Sequence, residues 1–553
     1  MAEKLKLFIV NLNRYVEVDG GTTLLQVVDS LGGQLGFSPI CARVNNKTEA
    51  LAYAVYAPKD VEFLDRTSDS GRRAYVRSLC MMLYHAAADL YPGARLRLEH
   101  SVSRGYFCRI IGPAAVSAKD IEQRMRRLSQ LDLPFVRHEG RTQDVIEQFD
   151  RQGLTDKTLL LKTVHQPYTV YYTLGDLADS YYGCLAPSTG HIDVFDLDDY
   201  EDGLLLRAFD PADPTVPPQP VTQAKMFKAF TDHLLFNQII GVSNVGQLNE
   251  AVDRGRTSAL VNVAEALHQK NIAAIADQIA ERYHKGGARI VLVAGPSSSG
   301  KTTTTKRLAI QLMTHLLTPH MISLDDYFLN REDSPRDENG DYDFESLYAL
   351  DLKQFNTDLE AILGGDEVQL PTYSFELGKR IYKGNSIKLN AGDILLIEGI
   401  HGLNPELTAA IAEDQKFRVY VSALTTLAID DHNWVPTTDN RLLRRIIRDH
   451  KYRGTSALNT LRMWPSVRRG EERWIFPFQE NADATFNSSL LFELGVMRDY
   501  ADEVLRGVPA DCPEYAAAYR LRKFLSYFRP IPMEAIPPTS LLREFLGGSS
   551  FHY

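Results

Sequence analysis

Residues 291–308 read VLVAGPSSSGKTTTTKRL. The opening residues are apolar, as a buried strand requires, and TTTKRLAIQLMTHL continues with helical spacing. Between them the loop fits G-x-x-x-x-G-K-[ST] through Gly295, Gly300, Lys301 and Thr302. Glycines at 295 and 300 admit backbone angles that side-chained residues avoid. Groups along Ser297, Ser298, Ser299, Gly300 and Thr303 can then face a phosphate chain at the positive end of the following helix. Lys301 is expected to reach the β- and γ-phosphates of ATP, and the Thr302 hydroxyl to ligate Mg²⁺. The strand–loop–helix order decides against a chance Ser/Gly turn. The motif alone leaves kinases, GTPases and motor ATPases open.

The following segments narrow the choice. HMISLDDYF is a second apolar strand ending in Asp325 and Asp326, and DILLIEGIHGL is a third ending in Glu398. In a parallel sheet, ligands sit at the carboxyl ends of the strands. Asp325 there can accept the proton of an attacking hydroxyl and help hold Mg²⁺, and Glu398 occupies the acidic position that meets the metal. Taken singly, each carboxylate could be a turn or cap residue; three strands delivering them to one edge support each other. DNRLLRRIIRDHKYRG then places Arg441, Arg444, Arg445 and Arg448 on one helix face. A solvated charged face is the ordinary explanation of such a run. Beside a phosphate loop, arginines neutralise charge developing on the γ-phosphate. Arg468, Arg469 and Arg473 in MWPSVRRGEERWIFPF suit a lid over the nucleotide.

A chain of 553 residues is too long for one core. Its net charge of −10 argues against broad nucleic-acid coating. The five cysteines form no C-x-x-C pair, the first residues lack a leader-type apolar run, and no stretch reads as a membrane span, so a cytoplasmic protein is expected. LKLFIVNLNRYVEVDGG suggests two strands about an Asn-rich turn, followed by a short helix capped at Thr22 or Thr23 and stopped at Gly32 or Gly33. RRAYVRSLCMMLYHAAADLYPG opens a second, α+β segment. AFDPADPTVPPQPV reads as a linker.

The C-terminal motifs resemble the uridine kinase and phosphoribulokinase family over about residues 290–500, through GPSSSGKTTTTK, ISLDDYF, DYDFESLYALDL, LPTYSF, LLIEGIHGL and RLLRRIIRDHKYRG. The resemblance implies an ATP- and Mg²⁺-dependent kinase. Lys301, Asp325, Arg445 and Arg448 would be catalytic, Asp325 taking the proton of a nucleoside 5′-hydroxyl. Thr302, Glu398 and Asp325 would place the metal. Asp343, Tyr373 and Phe375 would contact the nucleoside, and Arg445, Arg448 and Arg453 the phosphates. The sequence departs from the family around Asp343, where Glu345 is a neighbouring candidate. Gly378 stands where uridine kinases place a base-reading His, and Thr455 replaces an Arg of the usual RGR.

Residues 5–65 resemble the ubiquitin-like TGS domain, and residues 71–200 the editing domain of threonyl-tRNA synthetase, through HAAADLYPGARLRLEHSVSRGYFCRI, DIEQRMRRLSQLDLPFVRHE and DSYYGCLAPSTGHI. That domain's two metal-ligand pairs fall here on Arg77 and Met81, and on Cys184 and Ser188. Only Cys184 keeps its type, so no zinc is expected, with His85 and His191 the remaining candidates for a rebuilt site. The expected architecture is multidomain α/β: a ubiquitin-like β-grasp domain at 1–66, an α+β editing-like domain at 67–205, a linker and helical connector at 206–288, a P-loop kinase domain with a helix-flanked parallel sheet at 289–507, and an extension at 508–553. The leading function is phosphorylation of a nucleoside, uridine- or cytidine-like. The alternatives are another small hydroxyl acceptor or an RNA-associated ATP-binding sensor. RNA contact through the N-terminal half, self-association and absence of membrane partners complete the expectations.

Overall fold

The computed structural model describes residues 4–337, 340–374 and 376–552. Its C-terminal part is organised by a five-stranded sheet. Ile290–Ala294 is central, flanked by Asp393–Glu398 and Lys416–Ser422, with Thr318–Ser323 and Ala484–Asn487 at the edges. All four pairings are parallel. Alternation along the central strand sends Ile290 and Leu292 to one face and Val291 and Val293 to the other, and both faces are covered. The second face is packed by the helices Thr257–His284 and Lys301–Thr314, through Ile272, Ile275, Ile279, Leu308 and Leu312. Each such fully buried side chain contributes about 1.5–3 kcal/mol. The chain leaves the central strand for an edge and later inserts Asp393–Glu398 between them. That crossover opens a crevice at the carboxyl ends of the strands.

The N-terminal part builds three further sheets. Lys4–Ile9, Arg14–Asp19, Cys41–Val44, Lys47–Glu49 and Lys59–Leu64 form a five-stranded mixed sheet in which the first strand pairs parallel with the last. Its helix, Leu24–Ser30, is capped by Thr23 in a capping box with Gln26. A 22-residue helix, Asp69–Leu90, follows. It packs with one four-stranded and one three-stranded antiparallel sheet. Residues 208–223 hold no helix or strand, and the helices Ala224–Ile239 and Val245–Asp253 lead into Thr257–His284. Among the described residues no helix is long and apolar enough to cross a membrane.

The two halves share a buried seam. Residues 428–435, between the Lys416–Ser422 strand and the Thr437–Arg453 helix, insert against the middle module. Lys157 Nζ lies 2.7 Å from Asp179 Oδ1 and 2.8 Å from Asp430 Oδ1. His432 Nδ1 meets Asp179 Oδ2 at 2.7 Å, and Asp156 accepts the Asp431 N–H at 2.6 Å. Arg95 also pairs with Asp431.

Candidate active site

The loop after the central strand takes its shape from outside. Gly295 lies against the Val421 carbonyl oxygen, so any side chain there would collide with backbone. Arg441 Nε donates to Ser297 O at 2.9 Å and Arg444 Nη1 to Ser298 O at 3.4 Å, and the Ser488 hydroxyl donates to Ser299 O. In a trans peptide the C=O and the next N–H point oppositely. Carbonyls pinned outward at Ser297 and Ser299 therefore leave the Ser298 and Gly300 N–H groups turned toward the cradle, while the Ser299 N–H donates to Pro296 O at 3.2 Å. Ser298 sits at φ 59°, and among the described residues the buried hydroxyls of Ser298 and Ser299 have no hydrogen-bond partner. Arg441 is locked in a buried pair with Glu471, and Arg444 in one with Glu493. These two arginines of the run thus shape the loop and stand apart from the phosphate side. Gly300, at φ +85°, begins the Lys301–Thr314 helix.

Around the loop the carboxyl ends of three strands converge. Lys301 Nζ donates to Pro296 O at 3.3 Å, and burial lowers its pKa against the opposing charges of Glu398 and Asp325. Thr302 Oγ1 donates to Glu398 Oε1 at 3.3 Å. Burial pushes Glu398 up to about 7, against the pull of Lys301 and with the Asp325 charge adding to the rise. Oxygen donors from Thr302, Glu398 and Asp325 are the hard set that Mg²⁺ prefers. Asp325 and Asp326 share the short Leu324–Tyr327 turn but are used differently. Asp326 accepts the Tyr373 N–H at 3.0 Å and so ties the Thr372–Ser374 strand to the turn, while the Asp325 charge acts on Lys301, Glu398 and Glu345.

Asp343 is occupied locally, its carboxylate accepting the Glu345 N–H at 3.2 Å. The Glu345 side chain is the one that enters the cluster. Burial raises its pKa, with Arg445 and Lys301 opposing, and it abuts Gly470, which leaves it room. Tyr373 is buried with its ring 5.6 Å from that of Phe328. Phe375 lies outside the described residues. Arg445 Nη1 donates to Ser297 Oγ at 2.9 Å, and burial and Arg448 lower its pKa. Arg445, Arg448 and Arg453 converge on Asp449, at 3.3, 2.9 and 3.6 Å. Burial and Arg448 bring Arg453 down to about 10. Of the expected lid arginines, Arg468 pairs with Glu471 and Glu472, Arg469 lies 3.5 Å from Asp337, and Arg473 stacks on Trp474.

Sequence reasoning missed several participants. His401, three residues past the third strand's end, is buried, and burial holds its ring neutral with a pKa of about 3. Glu471 and Glu493 read as ordinary helix residues. Glu544 gave no signal, yet it touches the loop helix at Thr303.

The four positions aligned to the editing-domain ligands do not converge as donors. The Arg77 guanidinium lies 4.8 Å over the Tyr182 ring, and Met81 is buried in the core. Cys184 lies beside the buried Cys41, which lowers its pKa. Ser188 bonds Asp132 and His191, the latter at 2.8 Å. His85 pairs with Asp89 at 3.1 Å.

A phosphate loop on the central strand of a parallel sheet, with a carboxylate-bearing turn beside it, defines a P-loop phosphate-binding domain. Residues 290–490 match the model of the "Phosphoribulokinase / Uridine kinase family", and the C-terminal region belongs to that family. The uridine kinase of Schizosaccharomyces pombe is 32% identical over 180 residues, 32% of this chain and 35% of that protein. The uridine kinase of Halobacterium salinarum is 26% identical over 193 residues, 34% of this chain and 76% of that protein. The N-terminal part is similar to threonine–tRNA ligases: that of Desulforamulus reducens is 28% identical over 178 residues, 31% of this chain and 28% of that protein. The chain spans 28%, 35% and 29% of the first three curated relatives it matches.

Proposed function

We propose that this protein transfers the γ-phosphoryl group of ATP to the 5′-hydroxyl of a nucleoside, uridine- or cytidine-like. The reading is carried by one observation: Lys301, Thr302, Asp325, Glu345, Glu398 and Arg445 meet at the loop, while Asp326 is tied to backbone. Lys301 grips the β- and γ-phosphates. Asp325 takes the acceptor proton as the acceptor oxygen bonds phosphorus and the bond to the β-phosphate oxygen breaks, releasing ADP. Glu345 is placed to hold acceptor hydroxyls, with Asp343 orienting it through the backbone. Thr302, Glu398 and Asp325 would hold Mg²⁺, which when bound would supply charge neutralisation on the phosphates. Arg445, Arg448 and Arg453 add positive charge on the phosphate side.

A second reading, another small hydroxyl acceptor, is favoured by Gly378, which stands at φ +64° where the family's base-reading His is expected and packs against Arg331. The N-terminal modules are proposed as TGS-like and editing-like folds without a zinc site, acting in the cytoplasm, with RNA contact an open role suggested by the ligase similarity. The deciding experiment incubates the protein with Mg-ATP and a panel of nucleosides and sugar phosphates, and identifies phosphorylated products by mass. ADP formed without any phosphorylated acceptor would refute the kinase reading and favour an ATP-binding sensor.

A further inference from the structure

The segment 540–546 lies against the phosphate loop, although 241 positions separate Glu544 from Thr303. Glu544 Oε2 accepts from the Thr303 N–H at 3.2 Å and from Thr303 Oγ1 at 2.5 Å. Thr303 is the third residue of the 14-residue Lys301–Thr314 helix, so its N–H belongs to the first turn, whose amides point out of the helix end. Such N–H groups, at the positive end of a helix behind a glycine-rich loop, are the donors that phosphate oxygens take. The Glu544 charge reaches further into the site, acting on both Lys301 and Glu398.

The segment that carries this carboxylate is firmly held. Leu541, Leu542 and Phe545 are fully buried, Leu541 directly over Gly300 and Phe545 beneath the Arg444 guanidinium. Arg543 ties the segment internally, donating to Ile536 O at 2.5 Å and Met533 O at 3.1 Å. Lys451 donates to Leu546 O. The backbone is thus part of the core, and among the described residues it is the Glu544 side chain that must swing for the helix end to open.

We propose that Glu544 is an internal anion seated at the phosphate-binding end of the loop helix, and that a nucleotide must displace its carboxylate to bind. The inference rests on the nucleotide-binding reading given above. One N–H and one hydroxyl cannot serve the carboxylate and a phosphate oxygen in the same geometry, and two anions at one site repel. Without nucleotide, the carboxylate satisfies donors and positive charge that would otherwise stand exposed in the loop. The competition is with phosphate, so it lowers affinity for phosphorylated ligands and leaves an uncharged nucleoside untouched.

The test is calorimetric titration of the full chain with ADP, inorganic tripolyphosphate and adenosine. E544Q keeps the shape and removes the charge; it is expected to bind ADP and tripolyphosphate about 10-fold more tightly, the order of one charge-assisted hydrogen bond. K451A, which loosens the segment's anchor without touching the loop, should shift affinity the same way by less. Equal or weaker ADP binding by E544Q, with its melting temperature retained, would overturn the proposal and leave nucleotide binding standing. A gain shared equally by adenosine would also overturn it. Failure of every form to bind ADP or tripolyphosphate would overturn both this inference and the reading beneath it.

Discussion

Lys157 and Lys301 are each surrounded by three acidic side chains, and their pKa values move in opposite directions. Burial disfavours both charges. At Lys157 the carboxylates of Asp179, Asp430 and Asp156 outweigh burial and the pKa rises. At Lys301 Glu398, Asp325 and Glu544 do not, and it falls. The difference lies in contact. Lys157 has carboxylate oxygens at 2.7 and 2.8 Å, whereas Lys301 donates, among the described residues, to a carbonyl at 3.3 Å. A paired cluster holds structure in place, while a cluster with unspent donors and raised carboxyls is arranged for a ligand that brings its own charge.

Removing Lys301 or Asp325 should strike chemistry alone. K301A is expected to lower kcat at least about 10²-fold and D325N about 10²–10⁴-fold, with thermal unfolding unchanged. D326N should cost much less in kcat, because Asp326 holds the Tyr373 backbone. A larger loss for D326N than for D325N, measured as steady-state turnover, would exchange their roles. K157A should do the reverse. Breaking a buried pair leaves Asp179 and Asp430 without their lysine and costs about 3–5 kcal/mol of stability. Denaturant midpoints would register the loss, while turnover per folded molecule stays near wild type.

The seam also predicts a pH dependence. Burial opposes the charge on His432, but Asp179 outweighs it and raises the pKa above its ordinary value. A group raised in the folded state stabilises fully below its unfolded pKa, about 6.5 for His, and the contribution is lost as pH rises through the folded value. Wild type should therefore lose a few degrees more in Tm than H432Q between neutral and alkaline pH. Parallel melting curves for the two would break the assignment. The smallest effect is expected from chelation: elemental analysis of the full chain should find no stoichiometric zinc, and a chelator should leave Tm unmoved. One zinc per chain would mean that Cys184 or His191 belongs to a rebuilt site.

The sequence carried the loop, both carboxylate-bearing strands and the parallel sheet, because those signals are local: a motif, a run of apolar residues, a turn. It could not divide the arginine run. Arg441 and Arg444 look like Arg445 and Arg448 at helical spacing, and their partners Glu471 and Glu493 lie 30 and 49 positions away. Nor could it choose between Asp343 and Glu345, since both stand in one short turn and only the packing at Gly470 shows which carboxylate turns inward. Glu544 and the Lys157–Asp430 contact depend on separations of 241 and 273 residues, beyond any periodicity.

That last contact has a consequence for how the chain is made. The Lys157 and Asp179 pocket leaves the ribosome well before residues 428–435, and the loop that fills it runs straight into the arginine helix. Domains generally fold in order of synthesis, so the acidic and lysine partners of that loop are made before the loop itself. The contact thus joins the loop before the arginine helix to a lysine synthesised 273 residues earlier.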